Sequence, residues 1–185
     1  MGVIKRYMRP RDHDNRLHVM YNHCRRMYPV QPDSTTSITN ESHAMKEIIG
    51  NIWDYQDKAV IAITTNGLVG KTGLAVFGRG CARQAKERFP DLPARLGSLI
   101  NTQGNHVFYL GNGIVSFPVE HTPYETPDLR LIKRSAGELA TLADKEGWRL
   151  VIVPRPGCGG GGLDWREVKS VLESCLDDRF VIISQ

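Results

Sequence analysis

No apolar run in this chain approaches the ~20 residues needed to cross a bilayer. The first residues, Met1-Gly2-Val3-Ile4-Lys5-Arg6, carry no apolar core of a secretory signal. The four cysteines, Cys24, Cys81, Cys158 and Cys175, form no C-x-x-C pair and keep no regular spacing. That argues against a zinc ribbon or a disulfide framework and for reduced thiols. A cytoplasmic location without membrane contact is the expectation. A strong charge imbalance is also missing. Residues 1–44 hold seven basic residues against four acidic ones, +3, leaving +1 of the chain's +4 to the rest. The main body therefore carries no electrostatic footprint for nucleic acid.

What is present divides in two. Residues 1–44 are rich in Arg, His, Asn, Ser and Thr and lack sustained periodicity, apart from a short helical stripe at Leu17, Met20, Tyr21, Cys24 and Met27-Tyr28. They read as a basic, partly ordered extension. His13, His18, His23 and His43 are not expected to hold a metal, because His18 and His23 are five apart and miss the i, i+4 face. No metal and no cofactor is expected elsewhere. The compact domain is expected over residues 45–185.

Within it, strand and helix patterns alternate. Glu47–Trp53 reads as a strand ending in a turn, and Ala59–Thr65 as a strand buried on both faces. A helix is predicted from Leu74 to Arg88, with Leu74, Phe77, Cys81 and Ala85 at helical spacing and Pro90 and Pro93 ending it. Residues 91–105 read as a connection with some helix. Val107–Leu110 and Ile114–Phe117 flank Gly111-Asn112-Gly113 as a hairpin, and Pro118–Glu125 reads as a loop. A helix then starts with Thr126 as cap and Pro127 in its first position and ends at Gly147. Leu150–Val153 is a strand, Asp164 caps the last helix, and Arg179–Ile183 closes the chain as a strand. The order implies an α/β domain with a mostly parallel sheet.

Two strand–glycine loop–helix units stand out, over residues 59–88 and 150–176. The second contains Pro154-Arg155-Pro156-Gly157-Cys158-Gly159-Gly160-Gly161-Gly162-Leu163-Asp164-Trp165. Glycine lets backbone approach a ligand closely, and a helix N-terminus offers unpaired N–H groups and partial positive charge. Ligands of open α/β sheets bind outside the carboxyl ends of the strands, so two such units predict a diphosphate between them.

Gly70-Lys71-Thr72 misses the P-loop spacing, because the first glycine would fall on Thr65. No apolar strand ends in an Asp able to hold Mg²⁺, which leaves an NTPase a remote alternative. Gly157–Gly162 satisfies G-x-G-x-x-G formally but lacks the later acidic residue of dinucleotide folds. Cys158 lacks the C-x5-R arginine of thiol phosphatases, with Asp164 at that position, and reads as a small packing residue.

Five stretches together resemble the macro domain, an ADP-ribose-binding α/β/α module. Gly50-Asn51-Ile52-Trp53 resembles its Gly-Asp-Ile turn. Thr64-Thr65-Asn66-Gly67 resembles its strand-end Asn segment. Gly70-Lys71-Thr72-Gly73-Leu74-Ala75 resembles its first phosphate loop. Ser116-Phe117-Pro118-Val119-Glu120-His121 resembles the Phe-Pro-x-Lys-His segment of a bacterial and phage branch, and Pro154–Trp165 resembles that branch's second loop.

The resemblance implies a three-layer fold with a mixed, mostly parallel sheet. It implies ADP-ribose as ligand, free or on a macromolecule, with nucleic acid a partner only as a carrier of ADP-ribose. Asn51 would meet the adenine amino group and Ile52 would support the ring. Gly70, Lys71, Thr72, Gly73, Leu74 and Ala75, with Gly157, Cys158, Gly159, Gly160, Gly161, Gly162 and Leu163, would hold the diphosphate and distal ribose. Asn66, Lys71 and His121 are the candidates for catalysis. The implied activity is hydrolysis, releasing ADP-ribose from a macromolecule or phosphate from ADP-ribose 1″-phosphate, and the alternative is a non-catalytic reader. Asn51 departs from the family's Asp by carrying no charge. The second loop also lacks the acidic residue of some hydrolytic relatives.

Overall fold

The computed structural model describes residues 44–185, so the predicted extension, its four histidines and its helical stripe lie outside the described residues. Six strands form one sheet in the order β1-β6-β5-β2-β4-β3: β1 Lys46–Ile49, β2 Val60–Asn66, β3 Tyr109–Gly111, β4 Ile114–Glu120, β5 Val151–Pro154 and β6 Phe180–Ser184. Every neighbouring pair is parallel except β3–β4. That hairpin turns through Asn112 and Gly113, both at positive φ, as a two-residue turn matched to strand twist requires.

The parallel strands alternate between two cores. Ala62, Val115, Phe117, Val151, Val153, Phe180 and Ile182 share one core with α3 (Leu129–Glu146) and α4 (Trp165–Glu173). Ile61, Ile63, Ile114, Ile152, Val181 and Ile183 share the other with α1 (Gly80–Arg88) and α2 (Leu92–Gln103). The result is the expected three-layer α/β/α arrangement. Among the described residues no helix is long and apolar enough to cross a membrane.

Several elements differ from expectation. Ile52 and Trp53 do not extend β1 but form a 3-10 turn, Ile52–Tyr55, capped by Asn51, whose Oδ1 accepts from Trp53 N at 3.0 Å. The helix predicted from Leu74 begins only at Gly80. Ala75 and Phe77 are buried while Leu74 is exposed, which is the period of extended chain, not helix. Val69 and Ala75 pair antiparallel around the turn Gly70–Gly73, with Gly73 at positive φ. Residues 92–103 form a full helix, its first turn holding Pro93.

β4 runs through Pro118 to Glu120, where a loop was expected. The register against β2 shifts at this point, Thr65 facing Pro118 and Asn66 facing Glu120, and an irregularity of this kind accommodates a residue without an N–H. The cap of α3 is Asp128, which accepts from Arg130 N at 2.8 Å, so Thr126 and Pro127 precede the helix. Asp164 caps α4 as predicted, accepting from Arg166 N at 2.7 Å.

Candidate functional site

The carboxyl ends of five parallel strands open onto one cleft of about 920 Å³. Gly50 follows β1, and Ser184, Pro154, Asn66 and Glu120 belong to β6, β5, β2 and β4. All five line the cleft.

Its two middle walls are backbone donor arrays. One is the N-terminus of α1, through Gly78, Arg79, Gly80, Cys81 and Ala82. Its cap residue, Arg79, makes no side-chain cap bond, so no side chain caps the first N–H groups. The other is the loop after β5. There Cys158, Gly162 and Leu163 donate to Arg155, Gly159 and Gly157, while the N–H groups of Gly159, Gly160 and Gly161 donate to no group among the described residues. The arrays are close, since a Cβ on Gly160 would stand 3.7 Å from Arg79 Cδ. Between them Thr65 Oγ1 is buried without a partner, alone in this among buried side-chain N and O atoms of the described residues. Thr65 lines the cleft.

The end at β1 and β6 presents a guanidinium over an indole ring beside an aliphatic side chain. Ile52 lines it, as do Arg155 and Trp165, whose guanidinium and ring lie 4.7 Å apart. Glu47 holds this wall, accepting from Trp165 Nε1 at 3.0 Å, Arg155 at 3.1 Å and Lys169 at 2.6 Å. The Lys169 bond, ahead of the others, lowers the Glu47 carboxyl below its ordinary value. The opposite end is polar. There Glu120 Oε2 meets Arg79 at 3.1 Å, and burial pushes the Glu120 carboxyl upward against the pull of that arginine.

Of the predicted site residues, Ile52, Asn66, Gly157, Cys158, Gly159, Gly160, Gly161 and Leu163 line the cleft. Asn51, Gly70, Lys71, Thr72, Gly73, Leu74, Ala75, His121 and Gly162 do not. The turn Gly70–Gly73 instead packs on α2, where Ala75 N donates to Pro93 O. Asn66 staples its own loop, with Nδ2 donating to Val76 O and Oδ1 accepting from Leu68 N. Lys71 and His121 are exposed. Burial raises both the Cys158 and the Cys81 thiol, the latter accepting from Thr64 N at 3.3 Å.

Gly78–Ala82, Thr65 and Glu120 also line the cleft and were not singled out from the sequence. A signal for the first was present, since Gly78-Arg79-Gly80 is a Gly-x-Gly with small residues after it, and it stands where a helix starts.

No protein-family model and no curated protein matches the chain. Solved structures do. The macrodomain of Mycobacterium tuberculosis DarG is 22% identical with a TM-score of 0.64, covering 76% of this chain and 97% of that one. The macrodomain of Thermus aquaticus DarG is 22% identical with a TM-score of 0.63 over the same shares. Thermosipho africanus DarTG, solved in complex with ADP-ribose, is 18% identical with a TM-score of 0.60, over 75% of this chain and 41% of that one. The fold is the macrodomain fold. At these identities the likeness extends to architecture alone.

Proposed function

We propose that this chain binds ADP-ribose, free or carried on a macromolecule, in the cleft at the carboxyl ends of its sheet. One observation carries the reading: two backbone donor arrays, the uncapped N-terminus of α1 and Gly159–Gly161, flank the middle of the cleft. Converging N–H groups without side-chain carboxylates suit a diphosphate. The wall of Ile52, Arg155 and Trp165 suits a purine, and the end holding Glu120 suits sugar hydroxyls. The span agrees as well. From β1 to β4 the cleft crosses four strand spacings, about 19 Å at ~4.8 Å each, which is the reach of a dinucleotide-sized ligand and not of a mononucleotide. The structurally similar DarTG is itself a complex with ADP-ribose.

In this reading the diphosphate residues of the first loop are Gly78–Ala82 in place of Gly70–Ala75. Asn51 lies outside the cleft lining, with its Oδ1 already accepting from Trp53 N. The catalytic form of the proposal is hydrolysis, releasing ADP-ribose from a macromolecule or phosphate from ADP-ribose 1″-phosphate. The non-catalytic form is a reader. Asn66 with both polar atoms engaged, and Lys71 and His121 outside the cleft, favour the reader.

Calorimetry tests the shared claim. Binding of ADP-ribose in the micromolar range with little heat from ATP is expected, and no heat from ADP-ribose overturns it. Incubation with ADP-ribosylated protein, ADP-ribosylated DNA and ADP-ribose 1″-phosphate separates the two forms. Release of any label establishes the enzyme, and retention of all of them establishes the reader.

A further inference from the structure

We propose that Glu120 makes the cleft select ADP-ribose whose terminal sugar carries hydroxyls or an uncharged link, and reject a sugar ending in phosphate. The inference rests on the ADP-ribose reading and narrows its substrate class. It excludes ADP-ribose 1″-phosphate as the ligand for which this cleft is built.

Strand order places Glu120. Along the carboxyl edge the base wall stands at β1 and β6, the donor arrays follow β5 and β2, and β4 comes next. A ligand laid across these ends puts its terminal sugar at β4, beside Glu120. Glu120 is the one acidic side chain among the residues lining the cleft. It is 6% exposed, so its field is poorly screened by water. Its partner Arg79 is half exposed, with a side-chain exposure of 53%, so solvent dilutes the arginine charge more than the carboxylate's. Only Oε2 is engaged by Arg79, and Oε1 bonds no group among the described residues. That oxygen accepts a sugar hydroxyl well, and in its ionised form it repels a phosphate oxygen as a like charge.

A triphosphate meets the same obstacle. Filling the donor arrays with the two inner phosphates pushes the third toward β4 and Glu120.

The test compares ADP-ribose with ADP-ribose 1″-phosphate by calorimetry at neutral pH, on the wild-type chain and Glu120→Gln. The wild type is expected to prefer ADP-ribose by about tenfold or more, the scale of one like-charge contact. Glu120→Gln, neutral and of the same shape, is expected to bring the two ligands to within about threefold. A wild-type chain that binds both ligands equally, or prefers the 1″-phosphate, overturns the proposal. So does a preference that survives unchanged in Glu120→Gln. Absence of heat from both ligands instead overturns the parent reading, and this one with it.

Discussion

Pro127 lies against Gly161. A Cβ built on Gly161 would stand 2.9 Å from Pro127 Cδ and 2.6 Å from the carbonyl oxygen of Gly157. The glycine loop is therefore seated on the residue before the Asp128 cap of α3, and its shape depends on Gly161 having no side chain.

Gly161→Ala is expected to shift the loop and weaken ADP-ribose binding. Overpacking of this kind costs about 1–3 kcal/mol, and taken up by the loop it lowers affinity by about ten- to a hundredfold. Gly137→Ala, on α3 and outside the cleft lining, is the control, since its Cβ meets nothing within 4 Å. Its affinity is expected to stay within about threefold of wild type. Equal losses in both variants, measured by calorimetry, would show that the Pro127 seat is unimportant.

Gly97 shows the same close packing away from the cleft. On α2, its Cβ would come within 2.9 Å of Ala75 N and 3.1 Å of the Gly73 carbonyl carbon. Backbone cannot rotate aside as a side chain can. Gly97→Ala is expected to destabilise the fold by about 1–3 kcal/mol, despite alanine's better helix propensity. Urea unfolding reads this as a lower midpoint, and an unchanged or raised midpoint would contradict it.

The sheet was largely legible because its strands are short apolar runs bounded by turn residues, and buried parallel strands look like that. The glycine loop after β5 was legible because nothing but a close backbone approach explains so many glycines. The first loop was misread. Leu74, Phe77, Cys81 and Ala85 fit a helical stripe, yet Ala75 and Phe77 also fit the alternation of an extended chain, and local spacing does not choose between them. Gly73 and Gly80 at positive φ decide it. Glu120 was hidden for another reason. Its place beside Arg79 depends on the register shift opposite Pro118 and on two segments 41 residues apart. Thr65 could not be singled out, since nothing local tells which hydroxyl of Thr64-Thr65 finds a partner.

That hydroxyl makes a prediction in which stability and binding move in opposite directions. Thr65 Oγ1 is buried without a partner, and such a group costs about 1–3 kcal/mol. Thr65→Val removes the polar atom and keeps the branched shape. The unliganded protein is expected to gain about 1 kcal/mol, while ADP-ribose binding weakens by about three- to tenfold, the worth of one lost hydrogen bond. Denaturation without ligand and calorimetry with it read the two effects separately. Reduced stability without ligand would mean that the hydroxyl is not an open acceptor or donor in the cleft.

Glu120 gives the stability of the protein a pH dependence of unusual sign. Burial raises its carboxyl above the ordinary 4.5, Arg79 counters this, and the nearby charge of Glu125 adds to the rise. The folded chain thus holds this proton more tightly than the unfolded chain. The stability so contributed is fully present below pH 4.5 and is lost as pH rises through the higher folded value. Glu47 and Asp128 act the other way, because the Lys169 bond and the Arg130 N–H lower their carboxyls, and their contributions fade only as pH falls through those lowered values. Glu120→Gln carries no such proton. Relative to wild type, its unfolding free energy is expected to rise as pH increases from 4.5 toward neutrality, because the wild type alone must then bury a charge. Urea unfolding of both proteins across that interval gives the difference directly. A difference that stays flat, or that falls with rising pH, would mean that Arg79 compensates the carboxylate fully and that burial leaves no net penalty on its charge.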